Sequence, residues 1–421
     1  MIQEITQLRN GLQVVSVAMP QAASVSLGVW CGVGSRHESA AENGSAHFIE
    51  HLLFKGTTRR SAQQIVAEVE GIGGYLNAYT SEDHTCYYAR ARADRWRTLL
   101  DVLWDMFTEP AFPAPEVRRE REVIKEERAM YLDDPHHLAL EILGRAMWPT
   151  HPLGRPIEGT EENLDLLRRG SLMKFWRRHY AAENTCIVAA GALSHKRLVG
   201  AARALSRGLE RGVTAGFLAA MHDQDRPVVA VERRDIDQTQ VALGIRTAGR
   251  DDPRRYALRL LNAVLAENMS SRLYQVLRER HGLAYSVSSC TNTFADAGDL
   301  TITVGVDSER LPRALDLLRR ELRRLRRSGV SSGELRQAVD YVIGQFDLYL
   351  ESTENYMTWL GEAVAGNGRI VSPSLVKRRL RRVTVDQVHA VARDFLRPER
   401  MTLALVTPRK GDRDLERFLA I

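Results

Sequence analysis

The residues best equipped for chemistry in this sequence are His47, Glu50 and His51, in the run His47-Phe48-Ile49-Glu50-His51. The stretch that leads through it to Leu53 reads as a helix, with Asn43 or Ser45 as N-cap. Histidines four positions apart stand one above the other on a helix face. Both imidazoles can then reach one tetrahedral Zn²⁺ at about 2.0–2.1 Å. Glu50 lies beside His51 near that face, where it can take a proton from a water whose pKa the zinc has lowered to about 7. The competing reading is a pair of histidines that merely pack or cap. A third ligand decides between the two, because a catalytic zinc takes three protein ligands and keeps one open position.

Residues 116–131 supply candidates for that ligand. Val117, Glu120, Ile124, Glu127 and Tyr131 recur at spacings of three and four, a single helical stripe, while Arg118, Arg119, Arg121, Glu122, Lys125, Glu126 and Arg128 occupy the other faces. Two acids on an inward stripe would be costly to bury unless a cation sits between the helices. Salt bridges to arginines of a neighbouring helix are the alternative. Glu127 is the expected ligand, and Glu120, one heptad earlier, the carboxylate that orients an imidazole or the water. Glu126 points off the stripe and ranks third.

The elements that position these residues are written twice. Ser24-Val25-Ser26-Leu27-Gly28-Val29-Trp30 has a counterpart in Gln240-Val241-Ala242-Leu243-Gly244-Ile245-Arg246, so that Leu27 corresponds to Leu243, an offset of 216 residues. Strand-then-helix segments beginning at Ala89 and Thr303 repeat at an offset of 214, and Tyr180 and Phe395, each before an apolar strand, at 215. Near-constant offsets mark a duplication. Each half reads as an α+β sandwich, an antiparallel-rich sheet with helices on one face. The expected domains are 1–215, which carries the metal motif, and 216–421, which lacks it. Their join falls in residues 206–226, where Gly208, Gly212 and Gly216 precede the strand 227–232.

Composition narrows the class further. With 421 residues, 44% of them hydrophobic, two domains of about 200 residues can each bury a core. The net charge is +6, and the arginine-rich run 319–327 invites a nucleic-acid reading. Leu311, Leu315, Leu318, Leu322 and Leu325 recur through that run at helical spacing, so its arginines are the wet face of an amphipathic helix, and no nucleic-acid partner is expected. No apolar run approaches the ~20 residues of a membrane span, and the first residues carry no secretory pattern. Cys31, Cys86, Cys186 and Cys290 form no CxxC pair. A cytoplasmic protein, not bound to a membrane, is expected.

The run His47-Phe48-Ile49-Glu50-His51-Leu52-Leu53-Phe54-Lys55-Gly56-Thr57, with Gly34-Ser35-Arg36-His37-Glu38 before it and Leu76-Asn77-Ala78-Tyr79-Thr80 after it, resembles the pitrilysin family of inverzincin metallopeptidases. The likeness spans essentially the whole chain, and in length it is closest to the processing-peptidase and bacterial branch. It implies zinc-dependent cleavage of unfolded peptides in a chamber, with Glu50 as base, Glu127 as third ligand and Glu120 as the second acidic position. It further implies that Arg278 and Tyr285 contact substrate near the metal, and that Asn77 and Ala78 belong to an edge strand that receives the peptide through its main chain. The alternative for Arg278 and Tyr285 is an ordinary helix-turn-strand junction at Gly282, and Gly71, Gly73 and Gly74 before Asn77 would let a backbone approach closely, though a simple turn explains those glycines equally well. The family's subunits, alike or different, work in pairs, so a homodimer or a heterodimer with a related subunit is expected. The alternatives are the catalytic half of a heterodimer that is inactive alone and a non-catalytic partner subunit.

Overall fold

The computed structural model describes residues 2–214, 216–221, 223–409 and 415–421. They pack as two compact units. The first comprises Met1–Arg128, Arg155–Leu218 and Asp347–Ser372, and the second Ala129–Gly154, Ala219–Phe346 and Pro373–Ile421.

The first unit is built on a six-stranded sheet. Its strands are β1 (Gln3–Gln7), β2 (Gln13–Ala18), β3 (Ser24–Cys31), β4 (Tyr75–Thr80), β5 (Thr85–Arg92) and β6 (Thr185–Gly191), in the order β1-β2-β6-β3-β5-β4. Its helices include α1 (Ser45–Leu53), α2 (Ala62–Glu70), α3 (Trp96–Thr108) and α4 (Ala114–Asp133), the last of which leaves the unit after Arg128. β3 shows why the sheet sits at the centre. Val25, Leu27, Val29 and Cys31 alternate into a core shared with Ala46, Phe48, Ile49 and Leu52 of α1 and with Leu99, Leu103 and Phe107 of α3. The intervening Ser26, Gly28 and Trp30 turn to the other face, and β3 is buried along almost its whole length.

The second unit repeats this topology. Strands β7 (Val228–Arg233), β8 (Gln238–Ala248), β9 (Ala284–Thr293), β10 (Ala297–Asp307) and β11 (Met401–Thr407) take the order β7-β11-β8-β10-β9. β7 runs parallel to β11 as β2 runs parallel to β6, and every other neighbour is antiparallel in both sheets. β3, β5 and β6 therefore correspond to β8, β10 and β11, as the offsets require, and β1 is an added edge. In the arginine-rich helix Leu311–Ser328, the leucines 311, 315, 318, 322 and 325 are all buried, which leaves its arginines on the opposite side.

The compact units differ from the contiguous halves 1–215 and 216–421 by one exchanged segment in each direction. The helix Thr353–Asn367 covers the second face of the first sheet: Ser26 Oγ lies 2.9 Å from Thr353 Oγ1, and the Gly28 and Gly361 backbones close on Met357 and Trp30. In return α5 (Pro135–Met147) covers the second face of the other sheet, where Leu143 and Met147 pack on Ala242 and Ala404. Each sheet thus carries helices on both faces, one layer from its own half and one helix from the other. Among the described residues no helix is long and apolar enough to cross a membrane.

Candidate metal centre

The centre lies within the first unit and starts from the way α1 begins. Residue Gly44 takes a left-handed backbone, φ 93°, where a Cβ would meet the Glu158 carbonyl oxygen. Neither Asn43 nor Ser45 caps the helix as expected. The buried Glu38 takes that place, accepting the Gly44 N–H at 2.8 Å and the Ala46 N–H at 2.7 Å, while Asn43 Nδ2 steadies the same carboxylate at 3.1 Å. A carboxyl group offers two acceptor oxygens, one for each of two open N–H groups of the helix start, where a single Asn or Ser oxygen offers one.

α1 lasts nine residues, long enough to place His47 and His51 on one face with ring centroids 4.7 Å apart. α4 brings Glu127 opposite them. Its Oε2 lies 3.4 Å from His51 Nε2 and 3.9 Å from His47 Nε2. Among the described residues, His47, His51 and Glu127 are the one cluster whose ligand atoms all fall within 4.8 Å of one another. A tetrahedral zinc with ligands at about 2.0–2.1 Å separates neighbouring ligand atoms by about 3.3 Å, so this donor set fits the ion. His51 and Glu127 keep 21% and 25% of their side chains exposed, which leaves an approach for a fourth ligand.

Glu120 is buried behind the centre. Since a carboxylate only accepts, His51 Nδ1 donates to Glu120 Oε2 at 3.2 Å, which leaves Nε2, the nitrogen that faces Glu127, as the one to give its lone pair to an ion. The other oxygen of Glu120 is held by Lys55 Nζ at 2.7 Å. Glu126 is exposed on another face of α4.

The electrostatics follow from burial and neighbours. Burial and the adjacent His51 push the His47 imidazole down to about 4. Burial alone would lower His51 as well, but the Glu127 and Glu120 carboxylates raise it. Burial pushes Glu50 up to about 7, against the hydrogen bond it accepts from Thr80 Oγ1 at 2.6 Å. A bound cation would act in the opposite sense and favour the carboxylate.

Asn77 and Ala78 lie on β4, which among the described residues is an edge strand paired with β5 alone, and the Ala78 N–H is held by Asn77 Oδ1 at 2.8 Å. Arg278 and Tyr285 belong to the second unit. Arg278 sits in a π-helical turn, Tyr274–Arg280, and its Nη1 donates to the Tyr285 carbonyl at 2.8 Å across Gly282, while Tyr285 is 75% exposed. The second unit's counterpart of α1, the helix Arg255–Leu265, contains no histidine.

Three residues with evident parts in this arrangement received no role from sequence reasoning, namely Glu38, Lys55 and Thr80. All stand inside the motif runs, which is the signal that marks them, but their partners Ala46, Glu120 and Glu50 are fixed only by folding.

Residues 13–161 match the model of Insulinase (Peptidase family M16), and residues 167–342 that of the Peptidase M16 inactive domain. The chain belongs to peptidase family M16. This M16 chain is 37% identical over 419 residues to an uncharacterized zinc protease of Mycobacterium tuberculosis, covering 98% of the chain and 95% of the relative. It is 34% identical over 400 residues to another uncharacterized zinc protease, from Bacillus subtilis, covering 95% and 97%. Two crystal structures share the M16 fold at a TM-score of 0.90 and 22% identity. One is a protease from Helicobacter pylori (97% of this chain, 100% of that one), and the other a peptidase M16 inactive domain from Pseudomonas fluorescens (98% and 99%).

Proposed function

We propose that this M16 chain is a zinc metalloendopeptidase that hydrolyses unfolded peptides. The observation that carries the reading is the convergence of His47, His51 and Glu127 on one point beside Glu50. His47, His51 and Glu127 would hold the ion. Bound there, zinc would polarise the scissile carbonyl and make the attacking water more acidic. Glu50 takes the proton from that water and returns it to the leaving amine. Thr80 keeps the Glu50 carboxylate turned toward the site. The edge of β4 at Asn77 and Ala78 accepts an extended peptide by main-chain hydrogen bonds, the Ala78 N–H exchanging Asn77 Oδ1 for a peptide carbonyl, a mode that tolerates varied sequences. Arg278 and Tyr285 are assigned to the reacting carbonyl on the strength of the family resemblance.

The match to an inactive domain falls wholly in residues 167–342, outside the metal motif, which favours an active chain over a non-catalytic subunit. The working unit is a homodimer, or a heterodimer with a related subunit. The deciding experiment is zinc analysis of the purified chain together with cleavage of a quenched peptide. One zinc per chain is expected, with turnover lowered about 10³-fold in Glu50→Gln while the metal stays bound. Full turnover in that variant would overturn the mechanism, and activity that arises only on mixing with a second subunit would identify the heterodimer.

A further inference from the structure

We propose that Lys55 is a positioning residue of the metal centre, holding Glu120 so that this carboxylate fixes the zinc-binding tautomer of His51. The inference rests on the zinc-peptidase reading and extends it to a residue outside the ligand set.

The geometry divides the two oxygens of Glu120 between two partners. Lys55 Nζ sits 2.7 Å from Oε1, and His51 Nδ1 is 3.2 Å from Oε2. With Oε1 claimed by an ammonium, the carboxylate can neither rotate away nor present both oxygens to the imidazole, so Nδ1–H has one fixed acceptor. Nε2, 3.4 Å from Glu127 Oε2, is then the nitrogen left to give its lone pair to a bound ion. Lys55 also answers a charge problem. Glu120 keeps only 3% of its side chain exposed, and Glu50 and Glu127 already bring two further carboxyl groups to the centre. A buried acid that orients a ligand without a counter-ion would leave an uncompensated charge, whereas the Lys55–Glu120 pair is neutral. The placement is economical in sequence, since Lys55 follows the end of α1 that carries both histidines. Its N–H still bonds to Leu52 O at 3.0 Å, so ligand and anchor move together.

A merely structural Lys55, one that only ties α1 to α4, would change the melting temperature when replaced but would leave zinc affinity as it was. The test is therefore the zinc dissociation constant of the full chain, measured by competition with a chromophoric chelator. The variants are Lys55→Met, Lys55→Arg, Glu120→Gln and the double variant Lys55→Met with Glu120→Gln. Lys55→Met is expected to weaken zinc binding about 10-fold or more, the scale of lost ligand-orienting partners. Lys55→Arg, whose longer head has room because the lysine side chain is 30% exposed, is expected to recover most of that loss. In the Glu120→Gln background Lys55→Met should add little, because the two act as one unit. Wild-type affinity in Lys55→Met, or a full additional loss in the double variant, would overturn the inference while the peptidase reading stood. A wild-type chain that takes up no zinc would overturn both.

Discussion

The Thr80 hydroxyl donates a 2.6 Å hydrogen bond to Glu50 Oε2, tying the proposed base on α1 to the last residue of the edge strand β4. The proposed base and the strand proposed to accept the peptide are therefore linked by this side-chain contact. Hydrogen bonds to charged groups contribute about 1.5–3 kcal/mol, so Thr80→Val is expected to lower kcat about tenfold or more. Zinc content should not change. Unaltered kcat in the variant would show that Glu50 is oriented by other means.

Metal binding should appear as folding stability. A ligand that binds only the native state at 100 times its Kd adds about 2.7 kcal/mol. Zinc is expected to raise the melting temperature of the wild-type chain and to leave His47→Ala and Glu127→Gln almost unmoved, as read by thermal denaturation with and without the ion. An equal rise in all three proteins would place the bound ion elsewhere.

Glu38 holds the start of α1 through two backbone N–H groups. Glu38→Ala strands both in a buried place, at a cost of about 1–3 kcal/mol each in the worst case. Urea denaturation should show the loss, and zinc affinity should fall with it, since His47 lies in the first turn of that helix.

Burial pushes Asp299 up from the ordinary 3.8 to about 6, even though Thr301 Oγ1 and Asn292 Nδ2 both donate to it. A carboxyl whose folded value is raised holds its proton more tightly when folded, so its contribution is greatest below about pH 4 and is lost as pH rises through about 6. The loss is on the order of 3 kcal/mol. Asp299→Asn cannot titrate. The stability difference between variant and wild type should thus grow by that amount in favour of the variant between pH 4 and 7, as measured by urea denaturation. A difference that is flat across that range would contradict the buried-acid account.

Gly361 of the helix Thr353–Asn367 lies where an added Cβ would run into the fully buried indole of Trp30. Gly361→Ala is expected to destabilise the chain by about 1–3 kcal/mol through overpacking. Trp30→Phe in the same chain should tolerate the alanine better, because the smaller ring frees the space. Additive effects of the two changes would deny the contact.

The helical pair His47 and His51, the intervening Glu50 and the acidic stripe of α4 were all readable from the sequence, because helical periodicity is local and spacing alone decides which side chains share a face. Duplication was readable for a related reason, since strands that occupy the same place in two copies of a sheet keep the same offset. Tertiary structure alone decided three other things. Glu38, rather than Asn43 or Ser45, satisfies the start of α1, because the chain folds back over the helix end. Lys55 and Thr80 gained partners from α4 and β4, and no spacing rule connects them. The exchange of α5 and the helix Thr353–Asn367 between the two sheets follows from the need to cover the second face of each sheet. A helix's pattern shows that it has an apolar side, but not which sheet that side will meet.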